Sequence, residues 1–447
     1  MSSQHSNPST DAVERASDGG EVLPAWDNPA GRPVGMRRDP LVRTLIVMCV
    51  VLSVLVAFLG GIWAERNLSG TNAGPVDIDR LNEVAELIDG EYYRGPTDDA
   101  SRAAFDDSLE QGAIVGLASG AGDPYTSYLP PDDAAPLTEQ LSGQYGGIGI
   151  TVQQKDGNLI ITQVLAGGPA EAAGVRPEDT LVSVDGFALA GVSTADAGAR
   201  IRGEVGTTAT LVISRPGEAA TQTIAVTRAQ LDSPVVVYSL DPTTRVAQIR
   251  VTGFTGVTTA QLDQALDRAD ADGATGIVLD FRGNGGGSVT AAQEMIGRFV
   301  PATQGPALYE TVGRQGDSDQ TSALPIIAPS DGVVSSLPVV VLVDGGTASA
   351  AEIVAASLAD YGRATVMGTE TYGKGSVQRV HTFDDQSILR VTIAEWITPK
   401  GQRLNGLGVT IQVQVEPGTT AAGQDYQLLA AGTYLQSGGS SGTNFGW

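Results

Sequence analysis

The period of the hydrophobic pattern changes repeatedly along this chain, and each change marks a region. Thr44 to Trp63 is a run of 20 residues without a formal charge, 12 of them Leu, Ile, Val or Phe. As a helix it would extend about 30 Å, the thickness of a bilayer's hydrocarbon core, so a transmembrane helix is expected over 44–64. Residues 65–76 are rich in Gly, Asn and Ser and read as a tether. Apolar residues then recur at helical spacing in 77–94 (Val84, Leu87, Ile88) and in 101–118 (Phe105, Leu109, Ile114), which predicts a small helical region within 77–139. Residues 140–228 switch to short alternating strands separated by Gly-containing turns. Within 235–430 strands alternate with helices. Val246–Val251, Gly276–Asp280, Pro338–Val343 and Ile388–Ile397 read as strands, and Ala260–Ala269 and the apolar run through Leu358 as helices. The expected fold class is α/β and mostly β, multidomain, with flexible tails at 1–43 and 437–447.

Charge orients the expected anchor. Arg32, Arg37, Arg38 and Arg43 precede it, and acidic residues dominate after Glu65. The positive-inside rule puts residues 1–43 in the cytoplasm and the rest outside: a single-pass protein of the cytoplasmic membrane, with the lipid bilayer as partner through 44–64. A cleaved signal peptide is disfavoured by the length of the run and the poor cleavage site at Gly61-Ile62-Trp63-Ala64-Glu65. The formal charge of −24 comes without a basic stripe, which argues against nucleic acid. Cys49 is the single cysteine, and His5 and His381 are the two histidines, so a Cys/His zinc site is dismissed. No other residue pattern calls for a metal or organic cofactor, and self-association stays open.

Two short stretches carry the candidate chemistry. Gly346-Thr347-Ala348-Ser349-Ala350-Ala351-Glu352-Ile353 presents a serine among small residues at the head of an apolar helix. Tyr372-Gly373-Lys374-Gly375-Ser376-Val377-Gln378 places one of the chain's three lysines in a Gly-x-Gly turn leading into a strand. A Ser-Lys pair performs nucleophilic catalysis if desolvation holds the lysine neutral. Each residue has a plainer reading beside the catalytic one. Ser349-x-x-Glu352 matches a helix capping box, and Lys374 suits an ordinary turn. Gln378, four residues on, would share a strand face with Lys374 if the strand began near Gly373. Asp280-Phe281-Arg282-Gly283-Asn284-Gly285-Gly286-Gly287 follows a buried strand and could offer backbone N–H groups to an oxyanion. It lacks the Lys-Ser/Thr ending of a phosphate-binding loop, and Asp280 and Arg282 are suited to tying the turn together.

In 140–228 the order of features resembles a PDZ domain. Tyr145-Gly146-Gly147-Ile148-Gly149-Ile150 opens it, and the turn Asp156-Gly157, the short strand Leu159-Ile160-Ile161, the segment Leu165–Val175 and strands at Asp179–Gly186 and Leu211–Arg215 follow. The resemblance implies that the loop Gly146, Gly147, Ile148 and Gly149 captures a terminal carboxylate while the peptide adds a strand. The rival use of these glycines is a turn needing positive φ.

Thr347–Ile353 and Thr371–Gln378 together resemble the carboxyl-terminal processing (tail-specific) serine peptidases, as does Gly122-Asp123-Pro124-Tyr125-Thr126-Ser127-Tyr128-Leu129. The resemblance covers roughly residues 80–430. It implies Ser349 and Lys374 as catalytic dyad, Gln378 as support for the lysine, and Gly286 and Ala350 as oxyanion-hole donors. Glu352, Asp360 and Thr371 match further positions, with a structural role favoured for Asp360, about three helical turns from Ser349. The chain departs from the family in reading Asn-Gly-Gly-Gly in the loop and Thr410-Ile411-Gln412 near the end of the core. The implied function is a serine endopeptidase acting on proteins with accessible C-terminal tails. The alternative is a noncatalytic membrane-anchored PDZ scaffold with a degenerate peptidase core.

Overall fold

The computed structural model describes residues 76–312, 320–332 and 334–438. The chain divides into two compact units, the first ending at Glu91 and the second beginning at Tyr92. The described secondary structure of the first is helix α1, Ile78–Glu91. The second opens with helix α2, Asp99–Ser119, whose N-cap Asp98 accepts the Ser101 N–H. Among the described residues no helix is long and apolar enough to cross a membrane. The longest, α2, has 21 residues but carries Asp99, Arg102, Asp106, Asp107 and Glu110, each costly to hold in hydrocarbon. This corrects the expected transmembrane helix, and with it the bilayer as partner and the single-pass location; residues 44–64 themselves lie outside the described residues.

Strand β1, Ser127–Leu129, and helix α3, Pro131–Ser142, lead to β2, Gln144–Gly147. β2 pairs antiparallel with β9, Ala229–Asp232. This two-stranded tie closes off a β-rich module containing β3 (Ile150–Lys155), β4 (Asn158–Val164), α4 (Pro169–Ala172), β5 (Thr180–Val184), β6 (Phe187–Ala188), α5 (Thr194–Ile201), β7 (Thr208–Ser214) and β8 (Gln222–Thr227). The sheet order is β3-β4-β5-β7-β8, with β6 on β5. Alternate residues point inward, and Leu159, Ile161, Leu181, Leu211 and Ile213 form the module's own core. β3 is left at a sheet edge.

The remaining elements are β10 (Val236–Leu240), β11 (Val246–Val251), α6 (Thr258–Ala271), β12 (Gly276–Asp280), α7 (Val289–Gly297), β13 (Pro306–Val312), β14 (Gln320–Pro325), β15 (Val339–Val343), α8 (Ala350–Asp360), β16 (Ala364–Gly368), β17 (Ser376–Thr382), β18 (Ile388–Ile397), β19 (Val413–Gln414) and α9 (Tyr426–Gln436). The central sheet runs β10-β11-β12-β15-β16-β19 and is parallel from β11 onward. Every residue of β12 and β15 is buried, as expected of parallel strands covered on both faces. The period of two divides them. Ile277, Leu279, Val339, Val341 and Val343 join the core that includes Leu262, Met295 and Ile353 from α6, α7 and α8. Val278, Val340 and Leu342 meet Ala430, Ala431 and Tyr434 of α9 on the other face. A second sheet, β1-β18-β13-β14 with β17 on β18, brings Ser127 opposite Arg390.

Candidate active site

Neighbouring parallel strands β12, β15 and β16 end on one edge of the central sheet, where open α/β sheets place their sites. The loop after β12 holds the glycine run, the loop after β15 holds Ser349, and the loop after β16 holds Lys374. Local hydrogen bonds stitch the first two together. Asp344 Oδ1 accepts the N–H of Gly346 at 2.9 Å and that of Gly283 at 2.8 Å. Thr347 Oγ1 donates to the Phe281 carbonyl at 2.9 Å, and the Ala348 N–H donates to the Asn284 carbonyl at 2.9 Å. Small residues are required where two backbones run this close.

Ser349 stands at the junction of this turn and α8 with φ +54° and ψ −119°. That conformation costs a non-glycine residue about 1–3 kcal/mol and persists only where the surroundings impose it. A sharp turn of this kind between strand and helix projects its side chain clear of the backbone, and Ser349 is partly exposed.

Glu352, on the first turn of α8 and fully buried, joins the serine to the lysine. Its Oε2 accepts the N–H of Ser349 at 2.8 Å and the N–H of Lys374 at 2.9 Å. Its Oε1 accepts the Thr371 hydroxyl at 2.6 Å and the Gly373 N–H at 2.8 Å. Thr371 Oγ1 in turn accepts the Val409 N–H at 2.9 Å. A buried carboxylate needs several such donors, and here they come from both candidate catalytic loops.

Lys374 is half-buried, and burial pushes its amine below the ordinary lysine value; Arg390 pushes the same way and Asp123 opposes them. Its Nζ lies 4.8 Å from the centre of the Tyr125 ring. Among the described residues, Nζ makes no hydrogen bond to the Ser349 hydroxyl. Tyr125 and Asp123 belong to the turn before β1. Asp123 Oδ2 accepts from the N–H and the hydroxyl of Thr126, at 2.8 and 2.7 Å, and Thr126 Oγ1 accepts the Thr392 N–H of β18 at 3.1 Å. Sequence reasoning noted the Gly-Asp-Pro-Tyr turn but not its seat against the lysine. The signal was weak, because the pairing that places it joins residues 263 apart.

Gly286 has φ +96°, and a Cβ there would stand 2.8 Å from Ser349 Cβ and 2.9 Å from the Ala350 nitrogen. The glycine therefore keeps open the space in front of the serine. Its N–H donates to Asn284 Oδ1 at 2.9 Å, so of the two expected oxyanion donors only the Ala350 N–H, on the first turn of α8, is without an acceptor among the described residues. Asn284 is buried and anchored by Nδ2 on the Val251 carbonyl at 2.8 Å. Arg282 ties the base of this loop, meeting Asp280 at 2.7 Å and Asp425, the N-cap of α9, at 2.8 Å.

Gln378 and Asp360 make their hydrogen bonds away from the serine and the lysine, as the structural role favoured for Asp360 would have it. The Gln378 amide donates to Ser376 Oγ at 2.8 Å and Thr392 Oγ1 at 3.2 Å, away from Lys374. β17 begins at Ser376, after the lysine, and a bulge between Val377 and Gln378 breaks the alternation the shared-face expectation relied on. Asp360 ends α8 and accepts the Lys400 N–H at 2.8 Å, bracing a distant turn. In the β-rich module, Gly146 and Gly147 lie in β2 and Ile148 is buried. Gly149, at φ +78°, turns the chain into edge strand β3.

Comparison with known proteins follows the same division. Residues 245–415 match the model of peptidase family S41, and residues 137–214 match the PDZ domain model. The chain is 33% identical over 381 residues to the carboxy-terminal processing protease CtpA of Bacillus subtilis (strain 168), covering 85% of this chain and 78% of that protein. It is 28% identical over 414 residues to a probable CtpA-like serine protease of Staphylococcus aureus (strain MRSA252), covering 92% and 79% respectively. Among solved structures, a photosystem II D1 C-terminal processing protease is 27% identical, with a TM-score of 0.41 over 81% of this chain and 92% of that one.

Proposed function

We propose a mechanism and a substrate class for a chain that belongs to peptidase family S41, the tail-specific serine peptidases, and carries a PDZ domain. The protein is a serine peptidase, and it acts near the C-termini of its substrates. In the proposed reaction Ser349 Oγ attacks the scissile carbonyl while its proton passes to Lys374 Nζ. The C–N bond then breaks, the leaving amine takes that proton, and an ester to Ser349 remains. Water hydrolyses the ester with Lys374 again taking the proton, which returns the serine hydroxyl. The observation that carries this reading is Glu352, which holds the backbone of Ser349 and the backbone of Lys374 on one carboxylate oxygen.

The Ala350 N–H supplies one donor to the oxyanion. Gly286 supplies a second once its N–H leaves Asn284 Oδ1, a local rearrangement of the loop that follows substrate entry. Gln378 fixes the start of β17 behind the lysine through Ser376 and Thr392. Substrate tails are drawn in by the PDZ domain, adding a strand to β3 at the edge of its described sheet, with the terminal carboxylate received by the loop Gly146–Gly149 that precedes β3 in the chain. Thr371 and Asp360 are structural, bracing the lysine loop and the turn at Lys400.

The test is incubation of the full chain with an unfolded protein bearing a free C-terminal tail. The parent is expected to cleave it, and S349A and K374A are expected to leave it intact while still binding the tail. Equal background from all three would reject the dyad and favour a binding scaffold.

A further inference from the structure

We propose that Tyr125 is a positioning residue for Lys374: its ring face receives the protonated amine and holds it off Ser349, so that the aromatic surface and the serine compete for one side chain. The proposal rests on the reading of Lys374 as general base and adds to it a residue 249 positions earlier in the chain.

The geometry has three parts. Lys374 Nζ lies 4.8 Å from the Tyr125 ring centre, within the range at which an ammonium is attracted to an aromatic face. Tyr125 is itself fixed. Its turn is locked by Asp123 and Thr126 and, through Thr126 and Ser127, by Thr392 and Arg390 of β18. Burial, with Tyr372 of the lysine's own loop beside it, raises the pKa of its hydroxyl above the ordinary tyrosine value. Finally, the backbone N–H of Lys374 is held by Glu352, so the side chain pivots about a fixed point.

The charged and titratable groups facing Lys374 are Asp123 and Tyr125 from the turn before β1, Arg390 from β18, Glu352 from α8 and Tyr372 from its own loop. Burial and Arg390 disfavour the ammonium form, and Asp123 favours it. The ring face also favours it, because the quadrupole attracts a cation and is nearly indifferent to a neutral amine. A neutral amine is therefore released from the ring and free to accept the serine proton. A protonated one is retained. Replacing the ring by an aliphatic side chain of similar bulk keeps the site dry but removes the attraction, so the amine should lose its proton at lower pH. Removing the bulk as well admits water and should act in the opposite direction.

The experiment uses the full chain carrying Y125F, Y125L, Y125A or K374A. Acylation by an active-serine probe is followed across pH, and the lysines are titrated by NMR with a 13Cε label. The chain has only three, Lys155, Lys374 and Lys400, so the Lys374 signal is assigned from its loss in K374A. Y125F is expected to follow the parent within about twofold, since the attraction needs the ring and not the hydroxyl. Y125L should move the acid limb and the Lys374 titration to lower pH, increasing acylation on that limb by roughly 2- to 30-fold. Y125A should move both to higher pH. Superimposable Lys374 titrations in Y125F and Y125L, or an upward move in Y125L, overturn the proposal even if Y125A fails to fold. Normal acylation by K374A with the Y125F–Y125L difference intact overturns the base assignment alone and leaves the positioning in place.

Discussion

Replacing Glu352 by glutamine changes one buried oxygen into an NH2 group and leaves size and shape almost unaltered. The carboxylate receives four donors, two on each oxygen. A glutamine satisfies two of them through its remaining oxygen and turns a donor toward the other two. If Oε1 is kept, Thr371 and Gly373 remain bound and the backbone N–H groups of Ser349 and Lys374 are left facing an NH2. Hydrogen bonds to a charged group contribute about 1.5–3 kcal/mol each, so losing two removes roughly 3–6 kcal/mol of local stabilisation. Since each 1.36 kcal/mol is a factor of ten, even half of that loss expressed in the transition state slows acylation by about 10- to 100-fold. E352Q is accordingly expected to lose serine-probe acylation by at least about tenfold and to melt several degrees lower, while the PDZ domain, which has its own core, binds tail peptides as before. E352D should fare no better, because a side chain one methylene shorter cannot span both loops. Parental acylation together with a parental melting temperature in E352Q would refute the bridging role and, with it, the observation on which the dyad assignment rests.

Three further expectations test other parts of the site. S349G abolishes hydrolysis but relieves the positive φ at residue 349, so it should melt higher than S349A; a lower melting temperature than S349A counts against strain at the turn. Lys374 has a folded-state pKa below its unfolded one, so between the two values the unfolded chain binds the extra proton and stability rises with pH. K374M should therefore be more stable than the parent at neutral pH, with the advantage shrinking as pH approaches about 10.5, and denaturant titrations showing the opposite trend would reverse the sign of the shift. G286A brings a methyl group within 2.8 Å of Ser349 Cβ at a φ of +96°, so acylation should collapse while tail-peptide affinity is unchanged, a split measurable by probe labelling and fluorescence anisotropy.

Much of this candidate site was legible because the loops of Ser349 and Lys374 are local. Small residues around Ser349 and glycines around Lys374 are signals confined to a few positions each, and their strands and helices follow from short hydrophobic periods. What escaped was non-local or depended on register. The Gln378 expectation failed because the strand starts at Ser376 and bulges two residues later, which no alternation pattern reveals. The expectation for Gly286 missed Asn284, whose side chain reaches back to occupy the N–H two residues on. Tyr125 could not be placed at all from its neighbours, since its position is fixed by pairing with β18. The membrane-spanning expectation rested on residues outside those described, and the helices that are described are too short or too charged to replace it.

That pairing has a consequence for when the protein becomes active. The turn bearing Tyr125 is synthesised early, whereas Arg390 and Thr392, which lock it in place, leave the ribosome more than 260 residues later. Until β18 is made and docked, nothing on β18 holds the Tyr125 turn beside Lys374, and the burial and the Arg390 charge that lower the amine's pKa are not yet in place. A nascent chain, or one truncated before β18, thus carries Ser349 and Lys374 without the surroundings that the proposed dyad requires. On the proposed assignment, competence belongs to the finished chain and not to its earlier fragments.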